Sequence, residues 1–162
     1  NILKTFVIND SLNSAPLKLK LELIDFEGNK LWDNMKQINC DGTSNTLINS
    51  LNLNKLNFDI TNAIFVVSSI KNRWLYYFTN PKNLKLQKRE IKKQIIKTTS
   101  GFTILLSSST LQKDVFLFTQ NKGHFSDNFV DLLPNETIKI HFKTTSETLK
   151  DLSVKTLNQF FY

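Results

Sequence analysis

Residues 123–136, GHFSDNFVDLLPNE, place His124, Asp127, Asp131 and Glu136 within a short polar run. Two carboxylates beside an imidazole are the groups that general acid–base catalysis requires, one protonated to donate and one ionised to accept. On that reading Asp127 and Asp131 would form the pair, with His124 assisting. The same residues also carry turn chemistry. Asp and Asn side chains bond their own backbone and tolerate left-handed conformations, Gly123 precedes them, and LPNE follows. The turn reading is the stronger, and it gives Phe125, Ser126, Asp127 and Asn128 a structural role.

The rest of the inventory offers little for catalysis. The other imidazole, His141, falls at an outward position of TIKIHFK, where a solvated side chain is expected. Cys40 is the only cysteine, which excludes an intrachain disulfide and a Cys-based metal motif. No His pair has ligand spacing, so no metal site is expected. With 4 glycines in the chain, neither a phosphate-cradling Gly-x-Gly-x-x-Gly loop nor a Gly-x-Ser-x-Gly elbow occurs. No catalytic residue is assigned from this inventory.

Aromatic residues suggest a different chemistry. Trp32, Trp74, Tyr76 and Tyr77 could offer a platform on which sugar rings stack, but Trp74, Tyr76 and Phe78 share one strand face. Such a stripe more often belongs to a core or a domain interface. Two N-x-S/T matches begin at Asn9 and Asn135, and they matter only in a source that glycosylates such sites.

The elements that would position these residues are strands. In PLKLKLELIDF, Leu17, Leu19, Leu21 and Leu23 alternate with Lys18, Lys20 and Glu22, the period-two pattern of a half-buried strand. EGN at 27–29 is a Gly-centred hairpin turn leading into KLWDNMKQI. AIFVVSSI, at 63–70, reads as a central strand; NR at 72–73 turns the chain into WLYYFT. NPKNLKLQKRE, at 80–90, suits an extended linker. Strand patterns then resume in IKKQIIKT, GFTILLSS, KDVFLFT and TIKIHFK, where Ile138, Ile140 and Phe142 point inward. DLSVKTL could close a sheet, and TSETLKDL at 145–152 is too short to support a helix. The expected fold is all-β, two tandem antiparallel sandwiches covering residues 1–81 and 82–162.

Composition agrees with a globular protein: 40% hydrophobic and 22% charged over 162 residues. No apolar run approaches the roughly 18 residues that would span a bilayer, so no membrane partner is expected. The net charge of +7 comes mainly from Lys, and no nucleic-acid motif accompanies it, so no nucleic-acid partner is expected. The opening NILKTFVIND lacks an initiator Met and reads like the inside of a strand, as in a fragment of a longer protein.

Several segments resemble the post-catalytic domains of glycoside hydrolase family 2 β-mannosidases. FVINDSLNSAPLKLKLELIDFEGNKLW resembles the immunoglobulin-like domain that follows the barrel in that family. YYFTNPKNLKL resembles its exit strand and linker, and KDVFLFTQNKGHFSDNFVDLLPNETIKIHF resembles the terminal domain with its F-S-D-N signature. The ending LSVKTLNQFFY is similar to the closing strand. Asn135 stands where the family usually has Gly, and Asn also accepts a left-handed backbone.

The resemblance implies a retaining β-mannosidase parent, acting on oligosaccharides with two Glu residues on an upstream barrel and needing no cofactor. No residue of this chain matches those motifs, and the 162 residues alone are expected to be inactive. Implied partners are the barrel of the same polypeptide and a second copy in an oligomer. Trp74 and Phe129 are candidates for interface contacts or sugar stacking. Similar enzymes are periplasmic, secreted or lysosomal; the resemblance favours a periplasmic or secreted location.

Overall fold

The computed structural model describes residues 1–160; Phe161 and Tyr162, with which the ending LSVKTLNQFFY closes, lie outside the described residues. The chain forms two compact units, one of Asn1–Asp25 with Asn29–Asn83, the other of Phe26–Gly28 with Leu84 onward. Each is an immunoglobulin-like antiparallel sandwich.

In the first unit the strands are β1 (Ile2–Asn9), β2 (Ala15–Asp25), β3 (Lys30–Cys40), β4 (Ser44–Asn52), β5 (Ala63–Ser68) and β6 (Arg73–Tyr77). One sheet has the order β3-β2-β5-β6 and the other consists of β1 and β4. The alternation of β2 explains its place: Leu19, Leu21 and Leu23 are at most 2% exposed, while Lys18 and Lys20 face solvent. Burying each such leucine contributes about 1.5–3 kcal/mol. The Lys20–Glu22 ion pair (2.7 Å) on the opposite face adds about 0–1 kcal/mol.

β2 and β3 form a hairpin in which Asp25 Oδ1 accepts the Asn29 N–H (2.7 Å). Gly28 adopts φ 90, a conformation that L side chains rarely tolerate.

The sequence reading passes over β4, and also over the short strands His124–Phe125 and Val130–Leu132, which lie within the run read as a turn. The register of β4 against β1 shifts between Thr5↔Asn49 and Phe6↔Leu47, leaving Ile48 as the extra residue of a bulge. The bulge puts the buried Ile48 and Leu51 three positions apart rather than two. Ser44, Asn45, Asn49 and Asn52 lower its β-propensity further.

The second unit contains β7 (Lys92–Thr98), β8 (Gly101–Ser107), β9 (Gln112–Phe118), β10 (His124–Phe125), β11 (Val130–Leu132), β12 (Thr137–Lys143) and β13 (Ser153–Lys155). The sheet β10-β12-β8-β7 faces the sheet β11-β9-β13 across a core of Phe102, Ile104, Leu106, Val115, Leu117, Leu132, Ile140 and Phe142. In β12, Ile140 and Phe142 are buried and Lys139, His141 and Lys143 exposed, as strict alternation requires.

The segment before β7 is less free than its polarity suggests. Leu84 and Leu86, two apart in an extended run, are 5% and 8% exposed, and Gln87 O accepts from Asn158 Nδ2 (2.9 Å). The Lys-rich composition hides this strapping, because alternate leucines suffice to anchor extended chain.

Asn135 takes φ 61 and its N–H donates to Ser108 O (2.8 Å). A left-handed conformation costs a β-carbon residue roughly 1–2 kcal/mol, less for Asn and nothing for Gly. Asn135→Ala should therefore lower the stability of this unit by about 1 kcal/mol, whereas Asn135→Gly should leave it unchanged or slightly raised. Denaturant titration followed by circular dichroism checks the pair; equal losses for both would refute this account of the turn.

Candidate functional site

The polar run 123–136 is held by β9 and β12. Phe125 pairs with Phe142 across β10 and β12, and their rings lie 4.5 Å apart. Ser126 closes this short ladder: its N–H donates to His141 O (2.7 Å), and its Oγ accepts the His141 N–H (2.9 Å). Asp127 Oδ1 then accepts the N–H of Asn128 (2.8 Å), a local turn bond.

Asn128 reaches across to β9. Its Oδ1 accepts the Leu117 N–H (2.8 Å) and its Nδ2 donates to Leu117 O (2.9 Å). The side-chain amide thus makes the two bonds that a neighbouring strand residue would make. It extends the β9 ladder beyond the three-residue β11. Oδ1 also accepts the N–H of Phe129 (3.1 Å), which holds Phe129 at φ 57. Phe129 is 66% exposed and stacks on Phe116, with centroids 4.7 Å apart.

Asp131 is also committed to backbone, but at a different point of β9. Its Oδ1 accepts the Asp114 N–H (2.8 Å), and Lys113 Nζ lies 3.4 Å from Oδ2. Asp114 has φ 50, at the register shift between β11 and β9, so the carboxylate satisfies an amide that the irregular ladder leaves over. Asp127 and Asp131 therefore serve separate backbone sites. His124 is exposed on β10 opposite Lys143, and His141 Nδ1 lies 3.1 Å from Thr103 Oγ1.

Two concave surfaces of this unit are lined mainly by polar and charged residues. One, of about 570 Å³, is lined by Arg89, Glu90, Lys92, Ser107, Asn135 and neighbours; another, of about 530 Å³, by Lys97, Lys122, Lys143 and Glu147 among others. Neither is lined by Asp127 or Asp131. The Lys97 ammonium hydrogen-bonds Glu147 and holds its carboxyl below the ordinary value. Among the described residues no group of three or more His, Cys, Asp or Glu has the arrangement of a metal site.

Trp32, Trp74, Tyr76 and Tyr77 lie in the first unit and do not form one platform, and Phe129 lies in the second unit. Trp32 is half-buried and stacks on Phe65, with centroids 6.2 Å apart. Trp74 and Tyr76 lie on β6 in register with Val67 and Phe65, on the core-facing side, yet are 54% and 50% exposed. Among the described residues the second sheet has only β1 and β4 and leaves them partly open. Tyr77 pairs with Ile64 on the other face. Phe78 packs edge-on against both Phe58 and Tyr76 at 5.2 Å.

One contributor escapes sequence reasoning altogether. Asn158, fully buried, accepts the Lys113 N–H (2.9 Å) and donates to Leu111 O (2.8 Å). It lies 45 residues from Lys113, so no spacing rule could have linked them.

Two family profiles match the chain. The one described as "Mannosidase Ig/CBM-like domain" covers residues 1–83, and that described as "Ig-fold domain" for mannosidases covers 86–160. Similar solved structures include a β-D-mannosidase from Dictyoglomus thermophilum, at 22% identity and TM-score 0.78, over 97% of this chain and 20% of that one. They also include an exo-chitosanase from Amycolatopsis orientalis, at 15% identity and TM-score 0.58, over 96% of this chain and 24% of that one. The chain thus spans about a fifth to a quarter of the structures it matches. No curated protein matches it significantly in sequence.

The backbone roles of Asp127 and Asn128 separate in energy. Asn128→Ala strands two main-chain groups of Leu117, each worth about 1–3 kcal/mol when buried and unpaired. Asp127→Ala loses one exposed turn bond worth about 0.5–1.5 kcal/mol. Urea unfolding should show Asn128→Ala as clearly the more damaging, and a reversed order would contradict the ladder role.

Proposed function

The chain belongs to the mannosidase Ig/CBM-like and mannosidase Ig-fold domain families, and from this we propose that it is the non-catalytic C-terminal region of a retaining family 2 β-mannosidase. The parent removes terminal β-D-mannose from oligosaccharides through a covalent glycosyl-enzyme. That chemistry needs two carboxyl groups about 5–5.5 Å apart across the scissile bond. The reading assigns them to a barrel of about 250 residues elsewhere in the polypeptide.

The observation that carries this reading is the ordered pair of mannosidase-domain matches, one after the other along the chain. The engagement of Asp127 and Asp131 by backbone amides supports it, since a working acid–base pair must be free to exchange protons with substrate. Trp74 and Phe129, large and exposed, are the anchors we assign to contacts with the rest of the parent or with a second copy.

A second reading, a carbohydrate-binding module, is favoured by the half-exposed Trp74 and Tyr76 on one strand face. The two readings differ in outcome. Titration calorimetry of residues 1–162 against mannan and manno-oligosaccharides should give no heat under the first; saturable binding lost in Trp74→Ala would favour the second.

An aryl β-D-mannoside should be turned over by the full gene product and not by residues 1–162. Asp127→Asn in the full protein should leave kcat within about twofold. Saturable turnover by the 162-residue chain, abolished by Asp127→Asn, would overturn the non-catalytic assignment.

A further inference from the structure

The two sheets of the first unit are unequal. In the immunoglobulin sandwich the strands run A-B-E-D in one sheet and C-F-G in the other, with C′ added beside C in the variable type. β3, β2, β5 and β6 fill C′, C, F and G, and β1 beside β4 fills B and E. Among the described residues no strand occupies the A position, on the free side of β1.

The interior is open there. A cleft of about 430 Å³ runs between β1 and the opposite sheet, lined by Phe6, Val7, Leu19, Ile48, Val67 and Trp74. A second, of about 240 Å³, shares Phe6, Val67 and Trp74 and continues the seam to Leu3 and Tyr76. Thr5 lines both. The backbone beside this seam is suited to pairing. Leu53 N–H donates to Asn1 O (3.0 Å), so antiparallel alternation turns the N–H and C=O of Ile2 and Lys4 away from β4. An apolar cleft beside an unpaired strand edge is the geometry that accepts an added strand; left bare, it is an aggregation hazard.

We propose that this seam is a strand-acceptor site, filled by the segment of the same polypeptide that directly precedes Asn1, paired antiparallel to β1. The choice of occupant follows from the order of the fold: strand A comes before B and reaches it through a short connection. It rests on the reading of this chain as part of a longer polypeptide. The segment has about five to eight extended residues, spanning about 17–27 Å. Every second side chain is apolar and enters the seam toward Val67 and Trp74. Filling the seam covers the core-facing side of β6 and removes the exposed edge of β1.

The test compares residues 1–162 with the same chain extended by the twenty residues that its gene encodes before Asn1. Hydrogen exchange read by mass spectrometry should slow at least about tenfold over residues 1–9 in the extended chain. Thr5→Asp in the extended chain places a carboxylate in the seam. It should return residues 1–9 to the rates of the shorter chain while β2 and β5 stay protected, which shows that the unit remains folded.

Equal exchange of residues 1–9 in the short and extended chains would overturn the proposal. So would a gene with no residues before Asn1, or protection that appears only as residues 1–162 dimerise, since the occupant would then be a second copy. Mannosidase assay of the full polypeptide reports separately on the parent reading. An inactive parent with a protected β1 would retire that reading and leave the seam assignment standing.

Discussion

The second sandwich depends on the requirement that buried backbone N–H and C=O groups be paired. β9 is the middle strand of a three-strand sheet whose outer members, β11 and β13, have only three residues each. Strand pairing alone cannot satisfy its length. Side chains complete the ladder: Asn128 at Leu117, Asp131 at Asp114, and Asn158 at Lys113 and Leu111. Each bond substitutes an amide or carboxylate for a missing strand. The density of polar groups that suggests an active site is the density needed to finish a sheet with too little strand in it.

The first sandwich meets a related shortage differently. Its four-stranded sheet is covered by a sheet of two, so the leucines of β2 are buried while Trp74 and Tyr76 on β6 stay half-exposed. Apolar burial is complete at the centre of the wide sheet and incomplete at its edge. In one unit the deficit is of hydrogen-bond partners, and polar side chains fill it internally. In the other it is of apolar cover, which the described residues leave open.

These two solutions frame the functional reading. Side chains fixed by backbone hydrogen bonds are poor proton shuttles, because moving a proton would cost the ladder its partner. The proposed function accordingly gives Asp127 and Asp131 no part in proton transfer. The large aromatic side chains that these sandwiches leave exposed include Trp74 and Tyr76 on the edge strand β6 and Phe129 at a left-handed turn.

The alternation of PLKLKLELIDF and TIKIHFK was enough to read β2 and β12, their faces and the all-β class, because one buried sheet face imposes a period of two on composition. The resemblance, with Asn135 standing where the family usually has Gly, also pointed to the left-handed turn there. β4 could not be read, because its bulge breaks the period and its Asn and Ser residues dilute the signal. The strapping by Leu84 and Leu86 was likewise hidden among lysines. Local patterns thus determined the strands, turns and fold class, being consequences of neighbouring residues. Only the tertiary structure decided which backbone groups Asn128, Asp131 and Asn158 complete, and which aromatic faces remain open. Those partners are brought together by sheet order across 11 to 47 residues of sequence, a distance over which no local rule operates.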